Sequence, residues 1–397
     1  MASRFGLGGR VRMTNPISML AGIRVVSLEQ YIGAPYCTGL LADAGAEVIK
    51  VERPGSGDPR RDYDPMLRDE NGTLSGGFAS YNRGKKSVEL DLATTGGRAD
   101  FDALLGTADV LVSNLRPGSL GRLGLGPDET RERFPRLVVC EISGFGQTGP
   151  YASWPAFDSV IQAMSGLSSM LGDTEDSPPG LAPMATMDIL GGVYSAVGIL
   201  AALVGRQKTG VGTHIDASMY DIGAAFLERP LTLHEFTGDV PTRGADLFSP
   251  VGSFRARDGW VSMVIPTDEM WRRCCAAMGR AELATDPRLD TTLKRSERMR
   301  DLIIPLLEDW ASSLDKSEAA RLLREAGQPA GVVQTIAEVR NDEHLRARGL
   351  FQPVDDPRAI RPDGSRLALP RLPLLFDGIA PVPGAIPGLG EHNEELT

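Results

Sequence analysis

The sequence predicts an α/β fold with a mostly parallel sheet, accompanied by a smaller α+β domain. Two observations carry this. Over residues 22–146, short apolar or alternating runs are each followed by a segment of helical spacing, the order that parallel strands and crossover helices produce. Beyond Asp221 that alternation gives way to a connecting region, a hairpin pattern and then consecutive helices.

In chain order, IRVVSL (23–28) reads as a strand, 34–46 as a helix and EVIKVE (47–52) as a second strand. The first turn, SLEQYIGAPYC, lacks G-x-G-x-x-G, so the Rossmann-like order does not indicate a dinucleotide. Residues 55–77, rich in Pro, Gly and charge, read as a long mobile loop over a site. A strand at 86–92, a helix at 94–107 capped by Thr94 or Thr95, a strand at 109–114, a helix at 128–134 and a strand at 137–146 follow. Residues 189–205 carry no charge and predict a helix buried on nearly every side, closed by Arg206, Lys208 and Gly210. Then SFRARDGWVSMVI turns as a hairpin at 257–259, helices are expected over 268–279, 296–314 and 316–326, and GQPAGVVQTI returns as a strand. The resulting division is an N-terminal extension (1–20), a large domain (21–224), a small domain (225–320), and a return to the large domain (321–397) ending in a Pro-rich tail that wraps a partner surface.

A net charge of −10, from 42 Lys+Arg against 52 Asp+Glu, argues against nucleic acid as a partner. Cys37, Cys140, Cys274 and Cys275 have neither metal-ligand spacing nor the density of a disulfide scaffold, and read as reduced thiols of a cytoplasmic protein. The stretch 189–205 has 17 residues with four glycines, short for a bilayer span, so no membrane association is expected. The first 20 residues hold Arg4, Arg10 and Arg12 but no apolar core of a secretory signal.

No G-x-S-x-G elbow is present, and His214, His234, His344 and His392 form neither H-E-x-x-H nor a zinc cluster, so no metal is expected. Carboxylate chemistry remains, with Asp158, Asp188, Asp216 and Asp221 as candidates. Asp188 stands at the head of the apolar helix, where free backbone N–H groups and the dipole would keep it ionised. It is either a cap or a buried nucleophile. The expected strand ends at 29–34, 53–58, 114–116 and 144–149 would line one edge of the sheet, where such folds bind ligands. Arg83, Lys85, Lys86, Arg116 and Arg122 cluster near them in an acidic chain, which points to a phosphate-rich ligand.

Six motifs in order then carry a resemblance. They are GIRVVSLEQ with GAP at 33–35, VIKVERPGSGD at 48–58, YNRGKKSVELDL at 81–92, SNLRPGSLGRLGL at 113–125, GFGQTGPY at 144–151 and DILGGVYSAVGILAAL at 188–203. Over residues 22–392 the chain resembles the class III CoA-transferases, the CaiB/BaiF family.

The resemblance implies a large Rossmann-like domain and a small one in an interlocked homodimer, and coenzyme A as substrate and product. It places Asp188 on the family's catalytic aspartate, which takes the acyl group from an acyl-CoA as an anhydride, becomes an aspartyl-CoA thioester, and passes CoA to a free carboxylic acid. Arg53, Asn114, Leu115 and Arg122 fall on CoA-contacting positions, with Tyr31 and Ile32 lining the path to the aspartate. Arg83, Lys85, Lys86 and Arg116 are further candidates. Ile32 stands where formyl-CoA transferases have glutamine, and 249–254 lacks their glycine-rich loop, which argues against formyl or oxalate specificity. Loop 243–254 is expected to select the substrate, with Arg243 binding an acceptor carboxylate. The alternatives are a 2-methylacyl-CoA racemase or epimerase and a catalytically idle CoA-binding protein. Racemases of the family use a histidine where this chain has Phe157, which cannot carry a proton.

Overall fold

Six short runs, four of them at least half Val, Ile and Leu, pair with one another in the first of two compact units. The structure is a computed structural model and describes residues 18–69, 72–172, 176–243 and 251–396. Most of the expected N-terminal extension and most of loop 243–254 therefore lie outside the described residues.

The first unit opens with β1 (Arg24–Leu28), α1 (Gly33–Asp43) and β2 (Glu47–Glu52). The expected loop at 55–77 instead contains a 3-10 turn (Pro59–Asp62), β3 (Met66–Asp69), β4 (Gly72–Ser75) and the start of α2 (Gly76–Asn82). Ser75 Oγ organises this segment, accepting from Phe78 N and donating to the Arg60 and Tyr63 carbonyls. Alternation resumes with β5 (Lys86–Glu89), α3 (Thr95–Gly106), β6 (Val110–Ser113), α4 (Ser119–Arg122), α5 (Pro127–Arg133) and β7 (Val138–Ser143). Thr94 is the cap of α3, its Oγ1 accepting from Gly97 N at 3.1 Å. Then come α6 (Asp158–Met164), α7 (Leu167–Met170), α8 (Thr186–Thr209), β8 (His214–Ser218) and α9 (Met219–Phe226).

The sheet order is β5-β2-β1-β6-β7-β8, with every pair parallel. Val25, Val48, Val110 and Val138 point to the face covered by α1 and α8, while Val26, Ile49, Leu111 and Val139 meet Phe101, Leu104 and Leu105 on the other. Strand β8 was not expected, because HIDAS has three polar or charged residues among five and carries little apolar signal. The order reverses between β1 and β6, so the loops after these two strands flank the crevice where such sheets take ligands.

Helix α8 corrects the expectation of burial all round. Met187, Gly191, Ser195, Ile199 and Leu203 are buried, yet Val197 and Val204 are 59% and 58% exposed, and Tyr194 and Leu200 are exposed too. The last residues of the Pro-rich tail cover this chain's own sheet edge. Asn393 Oδ1 accepts from Glu89 N at 2.8 Å, His392 N donates to Ser87 O at 3.0 Å, and Glu395 pairs with Lys86. The unpaired side of β5 is thereby blocked.

The second unit comprises 172–179 and 229–342. Strands β9 (Val251–Ala256), β10 (Gly259–Val264) and β11 (Ala330–Val332) form an antiparallel sheet over a core with Phe254, Trp271, Leu307 and Leu323. A boundary at 320 would cut the helix Lys316–Glu325 and separate β11 from β10. The helix expected over 296–314 is broken into Thr292–Glu297, a wider turn at Met299–Ile303 and Ile304–Ala311, with Pro305, which has no N–H to donate, in the first turn of the last.

Candidate active site

The site begins with a close approach of two helices. A Cβ on Gly192 of α8 would fall 2.8 Å from Gly33 O and 3.1 Å from Cys37 N, so only glycine lets α1 lie against α8 there. The head of α1 is thereby set beside Asp188, whose Oδ1 lies 3.1 Å from where a Gly33 Cβ would be. The Gly33 backbone N–H is near enough to draw the Asp188 carboxyl downward.

Capping of α8 falls to another carboxylate. Asp158 Oδ1 accepts from Met187 N at 2.6 Å and Asp188 N at 3.2 Å, and Asp158 Oδ2 accepts from Gln162 Nε2 at 2.6 Å. The Asp188 side chain is therefore not the helix's own cap. Burial, and behind it the charge of Asp158, pushes Asp188 up to about 6, against the pull of Arg60 and the Gly33 N–H. At neutral pH Asp188 is still ionised, but weakly solvated. Of the other candidates, Asp216 Oδ2 accepts from Gln147 N at 2.9 Å and Asp221 sits in the first turn of α9, capped by Ser218.

The loop after β1 links Asp188 to the crevice. Asn114, just after β6, grips Gln30 with both ends of its amide, accepting from Gln30 N at 2.9 Å and donating to Gln30 O at 2.7 Å. Tyr31 follows with φ of +65°, a strained value for a non-glycine residue, and its N–H reaches Asp58 Oδ1 at 3.3 Å. The Tyr31 ring packs edge-on against Tyr63 and Phe157, with centroids at 6.3 and 5.9 Å. Ile32, half-buried, leads into α1.

Beneath this loop lies a buried ionic network. Lys50 Nζ is 2.7 Å from Asp58 Oδ2, and Lys85 Nζ is 2.7 Å from Glu29 Oε1, with all four side chains inaccessible or nearly so. Burial would raise Glu29, but Lys85 and Lys50 overcome it and hold its carboxyl below the usual range. Burial pushes Lys85 down to about 8 despite Glu29.

The network divides the basic candidates. Lys85 belongs to it, Arg83 Nη2 is held by Asp43 Oδ2 at 2.8 Å, and Lys86 is paired with Glu47 and Glu395, so the charges of these three are met within the chain. Arg53, Leu115 and Arg122 instead line a cleft of about 470 Å³ with Leu28–Gln30, Leu92 and Ser119, at the carboxyl ends of β1, β2 and β6. Both arginines are exposed, and among the described residues the Arg122 side chain donates only to Ser119 Oγ, at 2.8 Å. Arg116 is exposed but does not line the cleft. Arg243 lies in the second unit. Arg60 was missed, since nothing in PRRD distinguishes it from Arg61, yet its charge reaches Asp188 while Arg61 is paired with Glu52 at 2.6 Å.

Residues 20–393 match the sequence profile of CoA-transferase family III. The chain belongs to that family. Among similar proteins, the succinyl-CoA:mesaconate CoA-transferase of Haloarcula hispanica is 37% identical over 95% of each chain. The acetyl-CoA:oxalate CoA-transferase of Acetobacter aceti is 36% identical over 83% of this chain and 84% of its own. The succinate–glutarate CoA-transferase of Agrobacterium fabrum is 32% identical over 97% and 96%. A CAIB/BAIF family protein from Brucella suis superposes with a TM-score of 0.83 at 30% identity, covering 96% of this chain and 98% of that one. This family III CoA-transferase thus combines the expected parallel-sheet fold with a desolvated aspartate at the head of α8. At the position before Asp158 it presents Phe157, a hydrocarbon ring.

Proposed function

We propose that the enzyme moves CoA from an acyl-CoA donor to a free carboxylic acid through Asp188. The observation that carries this reading is the desolvated Asp188, set against the Gly33 N–H with its pKa raised to about 6. Its carboxylate attacks the thioester carbon and expels CoA thiolate, giving an aspartyl–acyl anhydride. The thiolate then attacks the aspartyl carbonyl, releasing the donor acid and leaving an aspartyl-CoA thioester. Acceptor carboxylate displaces the thiolate to form a new anhydride, and the thiolate returns to the acyl carbon, restoring Asp188. Each bond broken is matched by one of similar energy, so no nucleotide is consumed. Water would hydrolyse these intermediates, and the aromatic wall of Tyr31, Tyr63 and Phe157 supports its exclusion. Incubating the protein with acyl-CoA and hydroxylamine should leave a hydroxamate on Asp188 by intact mass; its absence with succinyl-, acetyl- and glutaryl-CoA would sink the reading.

Arg53 and Arg122 are suited to the phosphates of CoA, being exposed cations in a cleft that runs to the Glu29–Ile32 loop. Replacing either with Ala should raise KM for acyl-CoA roughly tenfold with kcat little changed, as loss of uniform binding requires. The same substitution at Lys86 should leave KM within error, because that lysine faces Glu47 and Glu395.

A homodimer accompanies this reading. The exposed side of α8 joins Leu40 of α1 and Leu374 and Phe376 of the tail in an apolar groove of about 370 Å³. Such a face is costly to leave in water. Light scattering at micromolar concentration should give twice the monomer mass, and a monomer would remove the interlocked arrangement.

A further inference from the structure

One guanidinium beside Asp188 has no task in the transfer steps just described. Arg60 leaves the 3-10 turn after Asp58, whose Oδ1 accepts from Arg60 N at 2.9 Å. Its side chain is fixed by three contacts. Nε donates to Gly77 O at 3.2 Å, and Cζ lies 5.2 Å from the Tyr63 centroid and 5.4 Å from that of Tyr81. Gly77 makes the room: a Cβ there would fall 3.3 Å from both Cζ and Nη2 of Arg60 and 3.2 Å from Tyr63 Cβ. The two terminal amino groups, Nη1 and Nη2, meet no acceptor among the described residues. This is a planar fork held by its stem and by flanking rings, with its donating end unengaged, the form that receives a carboxylate through two parallel hydrogen bonds.

Neighbouring cations differ. Arg61 donates twice to Glu52 and once to Pro387 O, and Arg83 is held by Asp43 and Ser80 O. Arg60 makes no ion pair among the described residues, though its charge reaches Asp188 and Tyr81. Were its purpose only to keep Asp188 ionised, a direct pair would do so better, and the carboxylate would then be a poorer nucleophile.

We infer that Arg60 binds the second, non-reacting carboxylate of a short dicarboxylic acid, as acceptor or as the acyl group of the donor, and so makes this enzyme selective for diacids. The inference rests on Asp188 as the acyl-accepting residue, and it extends that reading by naming the substrate class and the residue that recognises it.

The test compares succinate with butyrate, which has the same number of carbons and lacks one carboxylate, on the parent, Arg60→Gln and Arg60→Lys. Binding is followed by calorimetry with the CoA-loaded enzyme, and acceptor kcat/KM with acetyl-CoA as donor. In the parent, succinate should be preferred by roughly 10- to 100-fold, the worth of one charge-assisted pair. Arg60→Gln should abolish that preference by weakening succinate alone, and Arg60→Lys should restore part of it. Equal preference in the parent, or an undiminished preference in Arg60→Gln, overturns the inference. A loss shared equally by both acids overturns it too, since Arg60 would then serve CoA or the fold. Hydroxamate trapping on Asp188 with acetyl-CoA, which carries no second carboxylate, should persist in Arg60→Gln at alkaline pH, with its onset moved to higher pH because the pull of Arg60 on Asp188 is lost. If trapping fails already in the parent, the transfer reading fails, independently of the succinate–butyrate comparison.

Discussion

Asp188→Asn is expected to abolish CoA transfer, by on the order of 10⁴-fold or more, while making the protein more resistant to unfolding at pH 8. The activity loss follows because an amide cannot form the anhydride; no hydroxamate should be trapped, and CoA should still bind in the Arg53–Arg122 cleft. The gain in stability follows from the raised pKa. Folded Asp188 holds its proton to about 6, against 3.8 as the ordinary value, so over that interval the native state binds more protons than the unfolded one. Its contribution to stability is most favourable below the ordinary value, declines as pH rises toward about 6, and stays unfavourable above it. Asparagine carries no such burden. Urea midpoints at pH 8 and pH 5 should show the variant's advantage shrinking at the lower pH. In the parent, the rate of adduct formation should fall below about pH 6 as one proton is taken up. A variant no more stable at pH 8 than the parent would mean that Asp188 is not desolvated as described.

Lys50→Met is expected to destabilise the protein by about 3–5 kcal/mol, although the replacement matches the lysine stem in length. Lys50 is fully buried, and its Nζ bonds Asp58 at 2.7 Å and Glu29 O at 3.2 Å. Removing it leaves the buried carboxylates of Glu29 and Asp58 facing Lys85 alone. Asp58 also receives the N–H groups of Tyr31 and Arg60, so the damage should reach the active-site loop and lower kcat in the fraction that folds. Replacing an exposed cation such as Lys294, paired with Asp290 at the surface, should change stability by less than about 1 kcal/mol. A comparably small effect at Lys50 would show that the network is not what holds the loop.

Several elements were legible because their signal is local. The alternation of EVIKVE and the cap at Thr94 depend on residues a few positions apart, and they appear as β2 and the start of α3. Strand β8 was missed because HIDAS has too few apolar residues, and its pairing with β7 rests on register, Cys140 opposite Ile215, that no local pattern expresses. The fate of the tail was equally hidden. That its last residues cover β5 depends on Asn393 and His392 meeting the edge of a strand far earlier in the chain.

The strand–helix alternation through β7, the family, and the position of Asp188 at the head of an apolar helix were determined by the sequence alone, since each is a matter of spacing along the chain. Only the tertiary structure decided that Asp158 caps that helix and Asp188 does not, that burial raises the Asp188 pKa, and that Arg83, Lys85 and Lys86 are ion-paired within the chain while Arg53 and Arg122 face the cleft. It alone singled out Arg60 from Arg61. The reason is physical: ionisation and pairing are set by charges and hydrogen-bond partners within a few ångströms, and packing supplies those from distant parts of the chain.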